Sequence, residues 1–267
     1  MRGLQTPVRA IRRQVFTEVA KLGFKANAET LVADMEAIPY EIVGEDSEVK
    51  YRESIYRARA VVRERLRLAM GLSLRPENKP VHLTAGVEAS NISEKYYEPP
   101  LMQVIPSGCE SCEENKYEVS NVCKGCLAHP CQEVCPRGAI SMVNGKSFID
   151  QDKCIKCGKC KSVCPYDAIA KKERPCKKAC GVNAITSDKL GRAYIDADKC
   201  VSCGMCMVSC PFGAISDKSQ IFQLIRAMQS GRKIIAQVAP AFVGQFGDNI
   251  TPRNIKAALQ ELGFSEV

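Results

Sequence analysis

The sequence has no long apolar run. None of its stretches approaches the roughly 18 residues a membrane-spanning helix needs, so no membrane span is expected. Its first residues, Met1 to Phe16, are rich in arginine and lack the continuous apolar core of a secretory signal. An amphipathic helix is expected there rather than a transit peptide. No cysteine occurs before Cys109 or after Cys210, although the chain holds 16 of them. No Cys-x-x-Cys pair is followed by histidine, which excludes a c-type haem. Without a secretory signal, so many cysteines point to metal ligands in a reducing cytoplasm rather than to disulfides.

At 267 residues with 45% hydrophobic content, the chain has room for one large or two to three small domains of ordinary globular composition. Three parts are expected: a helical region with its linker (1–100), a cysteine domain (101–219) and a further segment (220–267). In the first part, Val8, Ile11, Val15, Val19 and Leu22 share one helical face. A second helix is predicted over 28–38, ended by Pro39. A third is predicted from Ser47 to Met70, with Tyr51, Ile55, Ala58, Val62, Leu66 and Met70 inward and Gly71 at its end. Its other face carries Arg52, Arg59, Arg63 and Arg67, read as a solvated face rather than a docking surface for an acidic redox partner. Residues 72–105, with Pro76, Pro80, Pro99 and Pro100, read as an irregular linker. In the last part a short helix is expected over 221–228, and Ile234–Val238 is expected to form a buried parallel strand. Thr251-Pro252 then opens a helix with an Ile255, Ala258, Leu259 and Leu262 stripe, closed by Gly263. A lone β-α-β start of this kind cannot bury both of its faces.

The chemistry lies in an internal repeat. Ile149-Asp-Gln-Asp-Lys-Cys154-Ile-Lys-Cys157-Gly-Lys-Cys160-Lys-Ser-Val-Cys164-Pro165 recurs 46 residues later. There it reads Ile195-Asp-Ala-Asp-Lys-Cys200-Val-Ser-Cys203-Gly-Met-Cys206-Met-Val-Ser-Cys210-Pro211. Both copies carry the CxxCxxCxxxCP run of bacterial ferredoxins. Four tails share one template: Cys135-Pro-Arg-Gly-Ala-Ile140, Cys164-Pro-Tyr-Asp-Ala-Ile169, Cys180-Gly-Val-Asn-Ala-Ile185 and Cys210-Pro-Phe-Gly-Ala-Ile215. Four tails imply four half-modules and four 4Fe-4S clusters. Asn144-Gly145 is the clearest of the intervening hairpin signals.

In such modules three closely spaced cysteines wrap one cluster, and the fourth reaches the other cluster of the pair. Cys123, Cys126, Cys131 and Cys164 therefore form one set, and Cys154, Cys157, Cys160 and Cys135 a second. Cys200, Cys203, Cys206 and Cys180 form a third. Cys210 and Cys176 are then left with Cys109 and Cys112, so the first module is read as inserted within the second. The competing reading gives Cys109, Cys112, Cys123 and Cys126 to a zinc ribbon, which strands Cys131, Cys164, Cys176 and Cys210. Cys126 and Cys131 are separated by four residues instead of two, and Gly181 stands where the template has proline. His129, inside a ligand loop, is expected beside a cluster or at the surface, and His82 to be structural. Four oxidised clusters of charge about −2 each would offset the formal charge of +8, which leaves little reason to expect nucleic acid as a partner.

This nested arrangement resembles the iron–sulfur subunits of molybdopterin oxidoreductases. The tail Ile234-Ile-Ala-Gln-Val-Ala-Pro-Ala241, with Phe246-Gly247 and Ala257-Ala-Leu-Gln-Glu-Leu-Gly-Phe264, resembles the beginning of the catalytic domain of iron-only hydrogenases. That resemblance implies a cytoplasmic, anaerobic electron relay feeding proton and dihydrogen interconversion. Its partner would be a ferredoxin or flavodoxin type of protein or a downstream catalytic domain. The Thr-Ser-Cys-Cys-Pro type of motif that supplies the catalytic cluster in that family is absent from this sequence. No catalytic residue is therefore assigned, and a free-standing polyferredoxin-type subunit is the alternative. The expected fold class is α+β: a helical N-terminal region, two nested ferredoxin-like modules, then the first β-α unit of an α/β domain.

Overall fold

The structure, a computed structural model, describes residues 4–25, 29–45, 52–90, 99–247 and 249–267. Four helices come first: α1 (Pro7–Lys25), α2 (Leu31–Ile42), α3 (Ile55–Ala69) and the single turn α4 (Val87–Ser90). Short elements follow: β1 (Met102–Val104), β2 (Lys116–Val119), α5 (Pro130–Glu133), β3 (Ile140–Val143), β4 (Lys146–Ile149) and α6 (Lys159–Ser162). Next come β5 (Ile169–Lys172), α7 (Pro175–Lys178), β6 (Ile185–Ser187), β7 (Ala193–Ile195), α8 (Met205–Ser209) and β8 (Ile215–Asp217). Helices α9 (Ile221–Gln229) and α10 (Pro252–Glu261) close the order. The fold is α+β. Two compact units divide the chain: Met1–Gly108 with Gly213–Val267, and Cys109–Phe212. Among the described residues no helix is long and apolar enough to cross a membrane.

In the first unit, Ile11, Val15, Val19 and Leu22 recur every three or four residues and are buried together. They pack with Leu31, Met35 and Ile38 of α2, Ala58, Val62 and Leu66 of α3, and Phe222 of α9. Helix α2 does not stop at Pro39. It runs to Ile42 with Pro39 buried inside it, because a proline forfeits one N–H bond while its own carbonyl still accepts from Val43 N at 3.2 Å. The expected start of this helix at Ala28 lies outside the described residues. So do Ser47 and Tyr51 of the third; its helix begins at Ile55, where the Ser54 hydroxyl accepts the Arg57 N–H. Gly71, at φ 77°, follows its end as expected.

Arg52, just before α3, and Arg59, Arg63 and Arg67 on it are not a solvated face. Arg67 is buried, and its guanidinium donates to the carbonyls of Ser73 (2.9 Å), Leu83 (2.6 Å) and Ala85 (2.9 Å). Arg59 donates to Val43 O, Arg63 to the Tyr40 hydroxyl and Arg52 to Gly108 O. An irregular segment leaves carbonyls without partners, and a guanidinium with five donors satisfies several at once. That is how residues 72–90 are held down, with Leu72, Leu83 and Val87 in the core.

Strands β1 and β8 pair antiparallel, Val104 opposite Ile215. Beyond α9, the run Ile234–Val238 does not form a buried strand. It makes one parallel bridge, Ile235 to Glu266, and Ile235 is 63% exposed. A single bridge supplies neither the neighbouring strands nor the covering layer that parallel pairing requires. Helix α10 starts as expected at Thr251-Pro252, with a reciprocal cap between Thr251 and Asn254. Its apolar stripe is only partly covered: Ile255 and Leu259 are half-buried, while Leu262 is 68% exposed.

The second unit holds three two-stranded antiparallel ladders: β2 with β5, β3 with β4, and β6 with β7. Asn144 (φ 50°) and Gly145 (φ 74°) turn the β3–β4 hairpin, as their sequence requires. Helix α5 packs on α6, and α7 on α8.

Replacing Arg67 by alanine should lower the stability of the helical unit by about 2–4 kcal/mol, because buried carbonyls lose their donors. Denaturant unfolding followed by far-ultraviolet circular dichroism would read the shift; an unchanged midpoint would mean those carbonyls find other partners.

Candidate metal centres

Two cysteines separated by two residues can aim both sulfurs at one body only if the chain reverses between them. The pairs Cys109/Cys112, Cys123/Cys126, Cys154/Cys157 and Cys200/Cys203 each have a left-handed residue just before the second cysteine: Ser111 (φ 46°), Gly125 (56°), Lys156 (58°) and Ser202 (55°). The four tails repeat a second device. Gly138 (55°), Asp167 (46°), Asn183 (52°) and Gly213 (59°) are each left-handed three residues after a cysteine. Behind them Ala139, Ala168, Ala184 and Ala214 and then Ile140, Ile169, Ile185 and Ile215 are buried, none more than 3% exposed. The Cys109–Cys112 loop thus shares this left-handed step with the other three.

The same turns bring backbone N–H groups onto sulfur. Ala139 donates to Cys135 Sγ (3.3 Å), Ala168 to Cys164 Sγ (3.3 Å) and Ala184 to Cys180 Sγ (3.2 Å). Lys156 donates to Cys154 Sγ, Ser202 to Cys200 Sγ, and Ala193 to Cys109 Sγ, each at 3.4 Å. Such donors stabilise the thiolate, the form that binds metal. Ser147 contacts Cys131 Sγ at 3.3 Å, and bonds from Ser147 and Gly125 hold the Cys123 thiol below its usual range.

Several of the thiols lie close to one another. Burial first, and then the nearby Cys210 and Cys109, raise the Cys112 thiol. Burial pushes Cys176 up to about 12, with Cys210 and Cys109 adding to the push and Arg174 opposing it. Cys109, Cys112, Cys176 and Cys210 are therefore neighbours. Burial also raises Cys160, whose thiol neighbours are Cys154, Cys157 and Cys135. Those four line a cleft with Tyr117, Ile140 and Ile149. Burial raises Cys206 to about 11, beside Cys200 and Cys203. Ser147 joins Cys123 to Cys131. Cys126, Cys164 and Cys180 lie in the same loops and tails. Buried, mutually repelling thiols would be poor nucleophiles at neutral pH, whereas a multi-iron group that neutralises four thiolates matches this donor set. Among the described residues no three His, Cys, Asp or Glu side chains converge as a site for one metal ion, and Cys112 lies with Cys210 and Cys109.

Sequence reasoning missed Arg174. Its side chain is 4% exposed and donates to Cys112 O (2.9 Å), Ser187 Oγ (3.1 Å) and Gly191 O (2.8 Å). Glu114 accepts from Arg174 (3.0 Å), Lys177 (2.5 Å) and Ser187 (2.8 Å). Burial works to raise the Glu114 carboxyl, yet Lys177, Ser187 and Arg174 hold it below its usual range. These bonds tie the segment before β2 to α7, β6 and the β6–β7 loop. The available signal was Arg174-Pro175-Cys176, which copies His129-Pro130-Cys131 with an arginine in place of histidine. His129 itself caps α5 in a left-handed conformation (φ 41°), the backbone role that Gly158 plays before α6. His82 is exposed, and its carbonyl accepts from Arg67.

Residues 148–170 and 193–216 each match the 4Fe-4S binding domain family, so the chain carries ferredoxin-like 4Fe-4S binding repeats. It is 38% identical over 65 residues to an uncharacterised ferredoxin of Methanocaldococcus jannaschii, covering 24% of this chain and 39% of that one. It is 41% identical over 69 residues to a probable iron-sulfur protein of the Frd operon of Proteus vulgaris, covering 26% and 44%. With the electron transport protein HydN of Escherichia coli the identity is 43% over 56 residues, covering 21% and 32%. The chain thus spans less than half the length of each of these relatives.

Adding a Cβ at Gly125 would drive it into the Gly145 carbonyl, whereas at Gly138, also left-handed, nothing lies within 4 Å. Gly138→Ala should cost about 1 kcal/mol and Gly125→Ala about 3 kcal/mol or more. Thermal unfolding of the two anaerobically prepared variants would compare them; equal losses would mean the Gly125 contact carries no weight.

Proposed function

We propose that this chain is an iron–sulfur electron-transfer protein holding four 4Fe-4S clusters. The observation that carries this reading is the fourfold repetition of one backbone device, a reversed CxxC loop plus a cysteine tail with its buried Ala-Ile. A bound 4Fe-4S cluster takes up and gives back one electron at a time, at a potential set by charge, hydrogen bonds to sulfur and burial. The chain supplies those controls. Cys123, Cys126, Cys131 and Cys164 hold the first cluster, and Cys135, Cys154, Cys157 and Cys160 the second. Cys180, Cys200, Cys203 and Cys206 hold the third, and Cys109, Cys112, Cys176 and Cys210 the fourth. Backbone N–H groups at Ala139, Ala168, Ala184 and Ala193 soften the charge on sulfur, and the buried Ala-Ile pairs keep water from the inner side of each loop. Arg174 adds a buried cation beside Cys112 and Cys176.

Residues 101–219 would then act as the relay. The likeness of 234–264 to the start of an iron-only hydrogenase catalytic domain supports a relay that feeds such a domain. The similarity to ferredoxins and to an electron transport protein supports the second reading, a polyferredoxin-type subunit passing electrons to a separate redox protein in the cytoplasm.

Protein purified without oxygen should contain about 16 iron and 16 sulfide per chain, with visible absorption that bleaches on reduction. Stoichiometric zinc instead would reject the reading. Cys112→Ser should remove about a quarter of the iron while the signals of the Cys123–Cys164 module persist. Loss of those signals, read by electron paramagnetic resonance, would refute the nested assignment.

A further inference from the structure

The two CxxC runs serve as controls for each other. Lys153 and Lys199 occupy one repeat position, and each pairs with the repeat's own aspartate, Asp150 at 3.3 Å and Asp196 at 2.7 Å. That pair belongs to the shared framework. Three further lysines belong to the first run alone. Lys156, Lys159 and Lys161 stand where the second run has Ser202, Met205 and Met207. All three are exposed, and among the described residues their ammonium groups have no carboxylate partner.

Five other lysines of this unit are neutralised. Lys116, Lys171, Lys172, Lys177 and Lys178 each meet Glu113, Glu114, Glu118 or Glu173 within 3.2 Å. Lys124, Lys146 and Lys189 also lack an ion pair among the described residues, Lys146 donating instead to Asn121 O, but none has a second free ammonium within three residues. Three uncompensated like charges within six residues repel one another and raise a positive potential over the loop that carries Cys157. Offsetting cluster charge does not explain them, since the second run presents its cysteines in the same backbone with serine and methionine at those positions. Cys157 is itself exposed. A cysteine loop that lies at the surface and carries free ammoniums is a place where a second redox centre can come close.

We propose that the loop Cys154–Ser162 is the docking surface for a small acidic electron-carrier protein, with Lys156, Lys159 and Lys161 meeting its carboxylates and Cys157 facing it. This rests on the relay reading and adds the point of entry or exit and the charge of the carrier. The repeat-related face around Cys203, without these lysines, does not bind such a carrier.

The test uses full-length holoprotein and the variant Lys159→Glu/Lys161→Glu, which leaves every cysteine and every N–H donor to sulfur in place. The probe is a reduced, acidic bacterial ferredoxin, mixed in stopped flow across ionic strength; a neutral deazaflavin photoreductant serves as the second donor. Wild type should slow steeply with added salt, and the double variant should be about tenfold slower at low salt with a flat or inverted salt dependence. Lys159→Gln/Lys161→Gln should show a smaller change of the same sign. Equal rates with ferredoxin for wild type and both variants would overturn the docking surface, while reduction by deazaflavin would leave the relay standing. Failure of both donors to reduce wild type would overturn both. Salt-sensitive binding of a single-stranded oligonucleotide that the double variant loses, with ferredoxin rates unchanged, would assign the face to nucleic acid and also overturn the proposal.

Discussion

Reversal of the chain between neighbouring cysteines is the constraint on which the cysteine unit depends. An L-residue enters the left-handed region at a cost of about 1–2 kcal/mol, and this unit enters it repeatedly outside glycine. Ser111, Lys156, Asp167, Asn183 and Ser202 all adopt it, at positions fixed by the distance to the nearest cysteine. The ladders around them are too short to impose it: the longest strand here has four residues. What offsets the cost is what the turns accomplish, aiming thiols inward and delivering an N–H to sulfur.

Polar clamps do the remaining work in both units, and they share a logic. Arg67 gathers the carbonyls of an irregular segment onto α3, and Arg174 gathers Cys112, Ser187 and Gly191 around α7. In each case a buried guanidinium replaces the ladder that the local backbone cannot form. Arg174 also has the Glu114 carboxylate against it, so its charge is not left uncompensated in the interior.

Much of the site was legible because cysteine, glycine and asparagine act locally. The repeat, the Asn144-Gly145 turn and the Thr251-Pro252 cap each depend on a few adjacent residues. The first core face was legible for a similar reason, since helical periodicity sorts Ile11, Val15, Val19 and Leu22 without knowledge of their partners. The misreadings involve distance. Nothing beside Arg67 in the sequence announces that its partners lie at Ser73, Leu83 and Ala85, so a basic helix face read as solvated. Pro39 read as a terminator because its cost is local while the burial that tolerates it is not. Ile234–Val238 read as a buried strand because an apolar run does not reveal whether neighbours exist to cover it. Arg174 was passed over because its value lies in joining segments 62 residues apart.

On the nested assignment proposed above, chain order would dictate a timetable. The ribosome releases Cys109 and Cys112 first, then everything needed for β2 through β5, and only afterwards Arg174, Cys176 and Cys210. The inner unit can close on itself while the earlier pair of thiols is still waiting. During that interval those two sulfurs face oxidants and stray metal without their eventual neighbours. On that assignment the outer half would be the part whose maturation is most exposed to conditions during synthesis.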